Sequence, residues 1–490
     1  MREVNAPILV AVDLGTTNCK AAAFSLDGDC LASESVAYPT QNPREGWYEQ
    51  RPADWRAAVL RALRSVASML DERAASVAGL CLSAWGPGLV LLDREGEPLN
   101  AASPTWQDVR SLEHGRRLVR DAGTAWVGGG MPLTGFPAKL AWAIDAWPEL
   151  TADAAHAVGV KDYLLSWLTG SLATEPSSGP YADAWPDAVF DVLGWEAGRL
   201  PPVLASTDRL GVLRADLAAA LSLPTGVPVL AGLNDGAAAT LGTGAYRQGD
   251  GVVSLGTNGV LRVLTESPLS AETCLAGSLF RYPVVSRVWA CGGFVLSGGS
   301  ALSWLARATS GSSESAEIER LLDDAASVAA GSDGVSFLPY LVGKGSPRPD
   351  PEATAAFLGL RLSHRRAHLT RAVLEGVAFG IREIADDLVS LGLELRRLLV
   401  TGGGAASPLW RGILANVLGL SAQHGAGDST LGSAIVLSVG LGYYPDVSTA
   451  VARLVPEPTT TASTPANRGI YQAAYRAYRQ LDATTRGVTA

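Results

Sequence analysis

Three glycine-bearing turns follow apolar, strand-like runs: Asp13-Leu-Gly-Thr16-Thr17, Ser254-Leu-Gly256-Thr257-Asn258 and Thr401-Gly402-Gly403-Gly404-Ala405. Such turns can cradle phosphate, because backbone N–H groups approach the anion where no Cβ intervenes. A single Gly-Thr turn is usually just a hairpin turn. Three in one chain, two of them of the same strand–turn–strand form, point to a polyphosphate ligand. None fits the GxxxxGK[ST] or GxGxxG patterns, so the P-loop and dinucleotide folds are not indicated.

Two carboxylates accompany the turns. Asp13 opens the first, whereas the matching hairpin carries Ser254, which favours a metal-holding role for the acid over a turn-stabilising one. Asp235 follows the apolar run 228–232 and precedes the small-residue helix predicted over 237–241. An aspartate there is either an N-cap or a base able to take a hydroxyl proton, and position alone leaves both open. His364 and His368 stand at metal-ligand spacing on a helix, but no third ligand lies nearby and packing roles fit them better. Lys344 and Asp350, in the Gly- and Pro-rich loop 343–351, are candidate substrate or closure contacts.

These groups need a frame, and the pattern predicts one of alternating strands and helices. Residues 8–13 and 21–26 form one hairpin; 251–255 and 260–264 form another, suggesting an internal duplication. Helices are predicted over 54–70, 300–308, 368–391 and 409–418, with a closing helix from 465 to 490. Strands are predicted over 77–82, 89–93, 228–232 and 398–401. The expected class is α/β. At 490 residues, two domains are expected, 1–246 and 247–490.

Composition narrows the partners. Apolar residues make up 47% and charged residues 18%, as in a folded globular protein. Acidic residues outnumber basic ones 48 to 39, and no basic stripe is present, so nucleic acid is an unexpected partner. No apolar run reaches membrane-spanning length. Five scattered cysteines without a CxxC pair read as free thiols, and a cytoplasmic location is expected.

The chain resembles the FGGY family of carbohydrate kinases, within the group sharing the actin/hexokinase-like ATPase fold. The resemblance runs through Asp13-Leu-Gly-Thr-Thr with Lys20, the segment 46–50, Trp106-Gln-Asp108-Val-Arg110, Lys161-Asp162-Tyr163 and Asn234-Asp235-Gly236. It continues in Ala355–Leu360 followed by His368–Glu375. It implies two ribonuclease H-like domains flanking a central cleft, with ATP and Mg²⁺ as cofactors and a small sugar as substrate. Asp235 would be the catalytic base and Asp13 would hold Mg²⁺. Thr16, Thr17, Lys20, Gly256, Thr257, Asn258, Gly402, Gly403, Gly404, Ala405 and Asn416 would serve the nucleotide. Trp85, Trp106, Asp108, Asn234 and Asp235 would serve the sugar. A homodimer is a further implication.

Within the family, xylulose kinases usually carry Gln-Met-His, and glycerol kinases Gln-Arg-Glu, where this chain has Trp85-Gly86-Pro87. Glycerol is thereby disfavoured. The segments 256–263 and 292–299 look like those of gluconate kinases, while Asp108 and residues 161–164 look like pentulose kinases. A pentulose such as xylulose ranks first, gluconate or a polyol next. The alternative of another class is a non-catalytic, actin-like nucleotide or sugar sensor.

Overall fold

The computed structural model describes residues 6–129, 132–182, 184–285, 287–425 and 427–485. Two seven-stranded sheets dominate it. The first contains β1 (Ile8–Leu14), β2 (Asn18–Phe24), β3 (Cys30–Ala37), β4 (Val77–Ala84), β5 (Arg209–Val212) and β6 (Pro228–Leu230) in the order β3-β2-β1-β4-β6-β5, with β7 (Leu233–Asn234) beside β4. The second contains β8 (Asp250–Leu255), β9 (Gly259–Thr265), β10 (Phe280–Val285), β11 (Val288–Val295), β12 (Arg397–Thr401), β13 (Ala422–His424) and β14 (Thr459–Thr461), in the order β10-β11-β9-β8-β12-β13-β14.

Both sheets repeat one plan. An antiparallel hairpin carries a third antiparallel strand on one side, and its first strand pairs in parallel with a later strand on the other. The similarity between the two hairpin sequences is thus a similarity of topology. The predicted α/β class holds.

The helices that matter for the site are α1 (Pro52–Leu70), α2 (Asp235–Gly242), α3 (Arg366–Ser390), α4 (Pro408–Leu418) and α5 (Ser429–Gly440). Helix α1 begins on Pro52, whose fixed φ suits the first turn, and buries Trp55, Val59, Leu63 and Val66 against the first sheet. Helix α3 lies almost wholly inside the second half, and α4 seals it with Trp410. The closing helix runs from Pro465 to Thr485; the rest of its expected span, 486–490, lies outside the described residues.

A third core lies between the sheets, where Leu9, Ala11, Leu233, Val252 and Leu399 meet α2 and α5. Here α2 and α5 cross at almost no distance. A methyl group placed on Gly432 would come within 1.8 Å of the Ala238 carbonyl oxygen, and one on Gly242 within 1.8 Å of the Asp428 carbonyl oxygen. Both glycines are used for closeness, not for φ.

Gly432→Ala is therefore predicted to cost about 2–3 kcal/mol and lower Tm. Gly412, on α4 with nothing within 4 Å of the site of a Cβ, should gain up to about 1 kcal/mol as Gly412→Ala. Thermal unfolding of both variants checks this; equal effects would contradict the crossing.

Candidate active site

Strand register decides which residues share an edge. Asp13 on β1 pairs with Ser83 on β4, and Asn234 on β7 pairs with Ala84. In the second sheet, Ser254 pairs with Thr401, so the second turn and the triple-glycine turn emerge together. All of these lie at the carboxyl ends of parallel strands, where open α/β sheets place their ligands. The two edges face one cavity of about 230 Å³, bordered by Thr16, Trp106, Asn234 and Asp235 from the first half and by Asn258, Arg262 and Tyr282 from the second.

Each turn is held by its neighbours. Gly15 N–H donates to the Asn18 carbonyl at 3.0 Å, and Gly256 N–H donates to the Asn258 carbonyl at 3.0 Å. The Thr16 carbonyl accepts from Gln50 Nε2 at 2.6 Å, and its hydroxyl accepts from Trp106 Nε1 at 2.9 Å. Thr17 and Thr257 are exposed. Gly402 has φ +89°, a conformation that excludes a side chain, and a methyl there would also press on the Leu255 carbonyl at 2.7 Å. Gly402 and Gly403 are exposed, Gly404 is half-buried, and Ala405 is buried beneath them. Asn416 has its amide engaged at both ends, donating to the Gly412 carbonyl at 2.6 Å and accepting from Thr464 N–H at 2.6 Å.

Asp235 is the first residue of α2 and does not cap it. Asn234 does, accepting from Ala237 N–H at 2.7 Å. Asn234 is itself clamped by Ser177, through its N–H to the Ser177 hydroxyl at 2.9 Å and its Nδ2 to the Ser177 carbonyl at 2.6 Å. Glu175 fixes that serine, accepting from its N–H at 2.7 Å and its hydroxyl at 2.8 Å. Lys161, buried 3.9 Å from Glu175, donates to the Ala231 carbonyl at 2.8 Å. A buried chain of hydrogen bonds and charge thus sets the aspartate's position.

The place of Asp235 in the first turn of α2 does not keep this carboxyl in the ordinary range. Burial, then repulsion from Asp13, raise its pKa from the ordinary 3.8 to about 7, against the attraction of Arg262 and the Gly236 N–H. Asp13 is likewise raised to about 6, chiefly by burial, with the Ser429 and Ser83 hydroxyls opposing and Asp428 adding repulsion.

Two sugar-site expectations are corrected. Trp85 is 1% exposed and packs edge-on against Trp55 in the core; the adjacent Gly86 lines the cavity instead. Asp108 is wholly buried, its carboxylate taken up by Arg110 and by Tyr48 N–H, and it does not reach the cavity wall. Trp106, Asn234 and Asp235 do. Outside the site, Lys344 is buried with Glu383 and Asp482 and is no substrate contact. His364 and His368 instead accept backbone N–H groups at 2.9 and 3.1 Å.

Three participants were not foreseen. Asp428 caps α5 through Thr430 and Leu431 N–H and pairs with Lys20. Burial opposes its ionisation, yet the Lys20 and Thr430 contacts prevail and hold its pKa below the ordinary value. Arg262 and Tyr282 enter from β9 and β10. A lone arginine inside the alternating apolar strand 259–265 was the available signal.

The fold and cleft define a two-lobed sugar kinase, and comparisons with known proteins agree. The family models for the N-terminal and C-terminal domains of the FGGY family of carbohydrate kinases match residues 8–242 and 251–441. The chain belongs to that family and is a carbohydrate kinase. It is 28% identical to a xylulose kinase of Lactococcus lactis over 96% of both chains, and 27% identical to a gluconokinase of Bacillus licheniformis over 84% of this chain and 82% of that one. The crystal structure of a xylulose kinase from Rhodospirillum rubrum superimposes with a TM-score of 0.87 at 29% identity, covering 98% of this chain and 99% of that one. Among the described residues no helix is long and apolar enough to cross a membrane.

The raised pKa of Asp235 carries a sign for stability. Between pH 3.8 and about 7 the folded protein binds more protons than the unfolded chain, so stability falls as pH rises through that window. Asp235→Asn should therefore unfold at a higher temperature than wild type at pH 8, with the gap closing towards pH 4. A gap independent of pH would contradict the raised pKa of Asp235.

Proposed function

We propose that the chain transfers the γ-phosphoryl group of ATP to a hydroxyl of a small carbohydrate of pentulose or sugar-acid type, such as xylulose or gluconate. The observation that carries this reading is the position of Asp235 on the wall of a cavity reached by both phosphate turns. Phosphoryl transfer demands positioning and charge stabilisation more than covalent chemistry. Asp235, with a pKa near the working pH, is matched to accepting the proton of the attacking hydroxyl. Past the Gly15 and Gly256 N–H groups, which close the turns internally, residues 16–17 and 257–258 would present N–H groups to the phosphates, and Gly402–Ala405 would lie along the nucleotide. Residues 1–246 would supply mainly the sugar site, together with the first phosphate turn and Asp235, and residues 247–490 mainly the ATP site.

Mg²⁺ favours one or two carboxylates completed by water and phosphate oxygens. Asp13, with Asp428 close enough to repel it, supplies such a donor set. Among the described residues no group of three or more Asp, Glu, His and Cys residues forms a closed cage. The metal would supply charge neutralisation at the phosphates; Asp13 would hold it, and Lys20 would keep Asp428 ionised. The printed names of the relatives span both substrate types, which supports the carbohydrate class without choosing within it.

Sugar-dependent ADP release across xylulose, ribulose, gluconate, glycerol and erythritol tests the proposal. Asp235→Asn should keep ATP binding and lose about 10²–10⁴-fold in kcat. Wild-type kcat/KM should fall with acidification below about pH 7. Near-normal turnover by the variant, or ADP release independent of any sugar, would refute the assignment.

A further inference from the structure

The phosphoryl-transfer chemistry leaves one charged group of the cavity unused: Arg262. It projects from β9 into the cavity beside Val260, while the alternate residues Leu261 and Val263 fill the core. Its Nε donates to the Tyr282 hydroxyl at 2.8 Å and its Nη1 to the Ser254 hydroxyl at 2.9 Å. Both partners are neutral. Asp235 feels its charge, yet no carboxylate forms an ion pair with the guanidinium among the described residues. Elsewhere Arg110 is paired with Asp108 and Glu49, and Arg371 with Glu375, while buried Arg411 is taken up by the Ala405 and Ala406 carbonyls.

A half-buried guanidinium fixed by two hydroxyls and short of a counter-anion is built to receive one. Its planar fork matches a carboxylate or phosphate oxygen pair. Register separates those two anions. Val260 pairs with Ser254 at the mouth of the second turn, and Arg262 pairs with Val252, two residues further from it, or about 7 Å along the strand. Its guanidinium reaches back to Ser254 at the base of that turn, and Asp235, Phe280 and Tyr282 line the cavity around it.

We propose that Arg262 binds a carboxylate of the acceptor, so that the preferred substrate is a sugar acid of the aldonate class. This rests on the carbohydrate-kinase reading of the same cavity. It reverses the ranking from residue pattern alone, which placed a neutral pentulose first. The acceptor's carboxylate meets Arg262, and one of its hydroxyls meets Asp235.

ADP release with ATP and Mg²⁺ is to be measured for gluconate and for xylulose, in wild type, Arg262→Gln and Arg262→Lys. Wild type should give the higher kcat/KM with gluconate. In Arg262→Gln the gluconate-to-xylulose ratio should fall about 100-fold, carried by KM, with partial recovery in Arg262→Lys. An unchanged ratio, with kcat falling equally for both acceptors, would assign Arg262 to the phosphates and overturn the proposal. So would a wild-type preference for xylulose. Gluconate-induced thermal stabilisation without ATP, present in wild type and lost in Arg262→Gln, would support the site even if no acceptor were turned over. That last result would instead sink the kinase reading.

Discussion

The near-contact of two helices between the sheets is the constraint on which the rest depends. Gly242, Gly427 and Gly432 let α2 and α5 meet backbone to backbone, at distances any side chain would forbid. The contacts pair Gly432 with Ala238 and Gly242 with Asp428, so the start of α5 lies against the end of α2. Asp428 there meets Lys20 and repels Asp13, and Asp13 in turn repels Asp235 at the start of α2. Residues more than 400 positions apart in the chain thereby become one electrostatic unit.

That unit is strained in a useful direction. Burial raises Asp13 and Asp235, and repulsion among the gathered acids adds to it, while Lys20 and Thr430 hold Asp428 below the ordinary range. A site in this state welcomes cationic charge at Asp13 and holds a proton acceptor tuned near neutrality at Asp235. Fold stability is given up to keep it, as is usual where function sets the charge pattern. The buried Lys161–Glu175–Ser177–Asn234 chain offsets the looseness such repulsion would otherwise cause.

Much of this was legible in the residues. Strand–glycine–strand repetition revealed the duplicated sheets, and the placement of Asp235 after a short apolar run marked its edge position. What was missed depended on contacts across the fold. Whether Trp85 or its neighbour Gly86 faces the cavity turns on a single residue of register against Trp55. Asp108 carries the same side chain whether it meets a sugar or Arg110; only the local fold of 46–50 against 104–110 brings Arg110 and Tyr48 N–H onto it. Asp428 is an ordinary helix cap until the helix crossing brings it to Lys20. Arg262 was visible as an oddity in an apolar strand, but its lack of a counter-ion is a property of the assembled cavity.

The most direct measurement is a crystal structure with acceptor sugar and a non-hydrolysable ATP analogue bound together. The account predicts one acceptor hydroxyl within hydrogen-bond distance of an Asp235 carboxylate oxygen, its own oxygen pointing at the terminal phosphorus held between the 15–17 and 256–258 turns. An acceptor seated away from Asp235, or phosphates bound outside those turns, would contradict it.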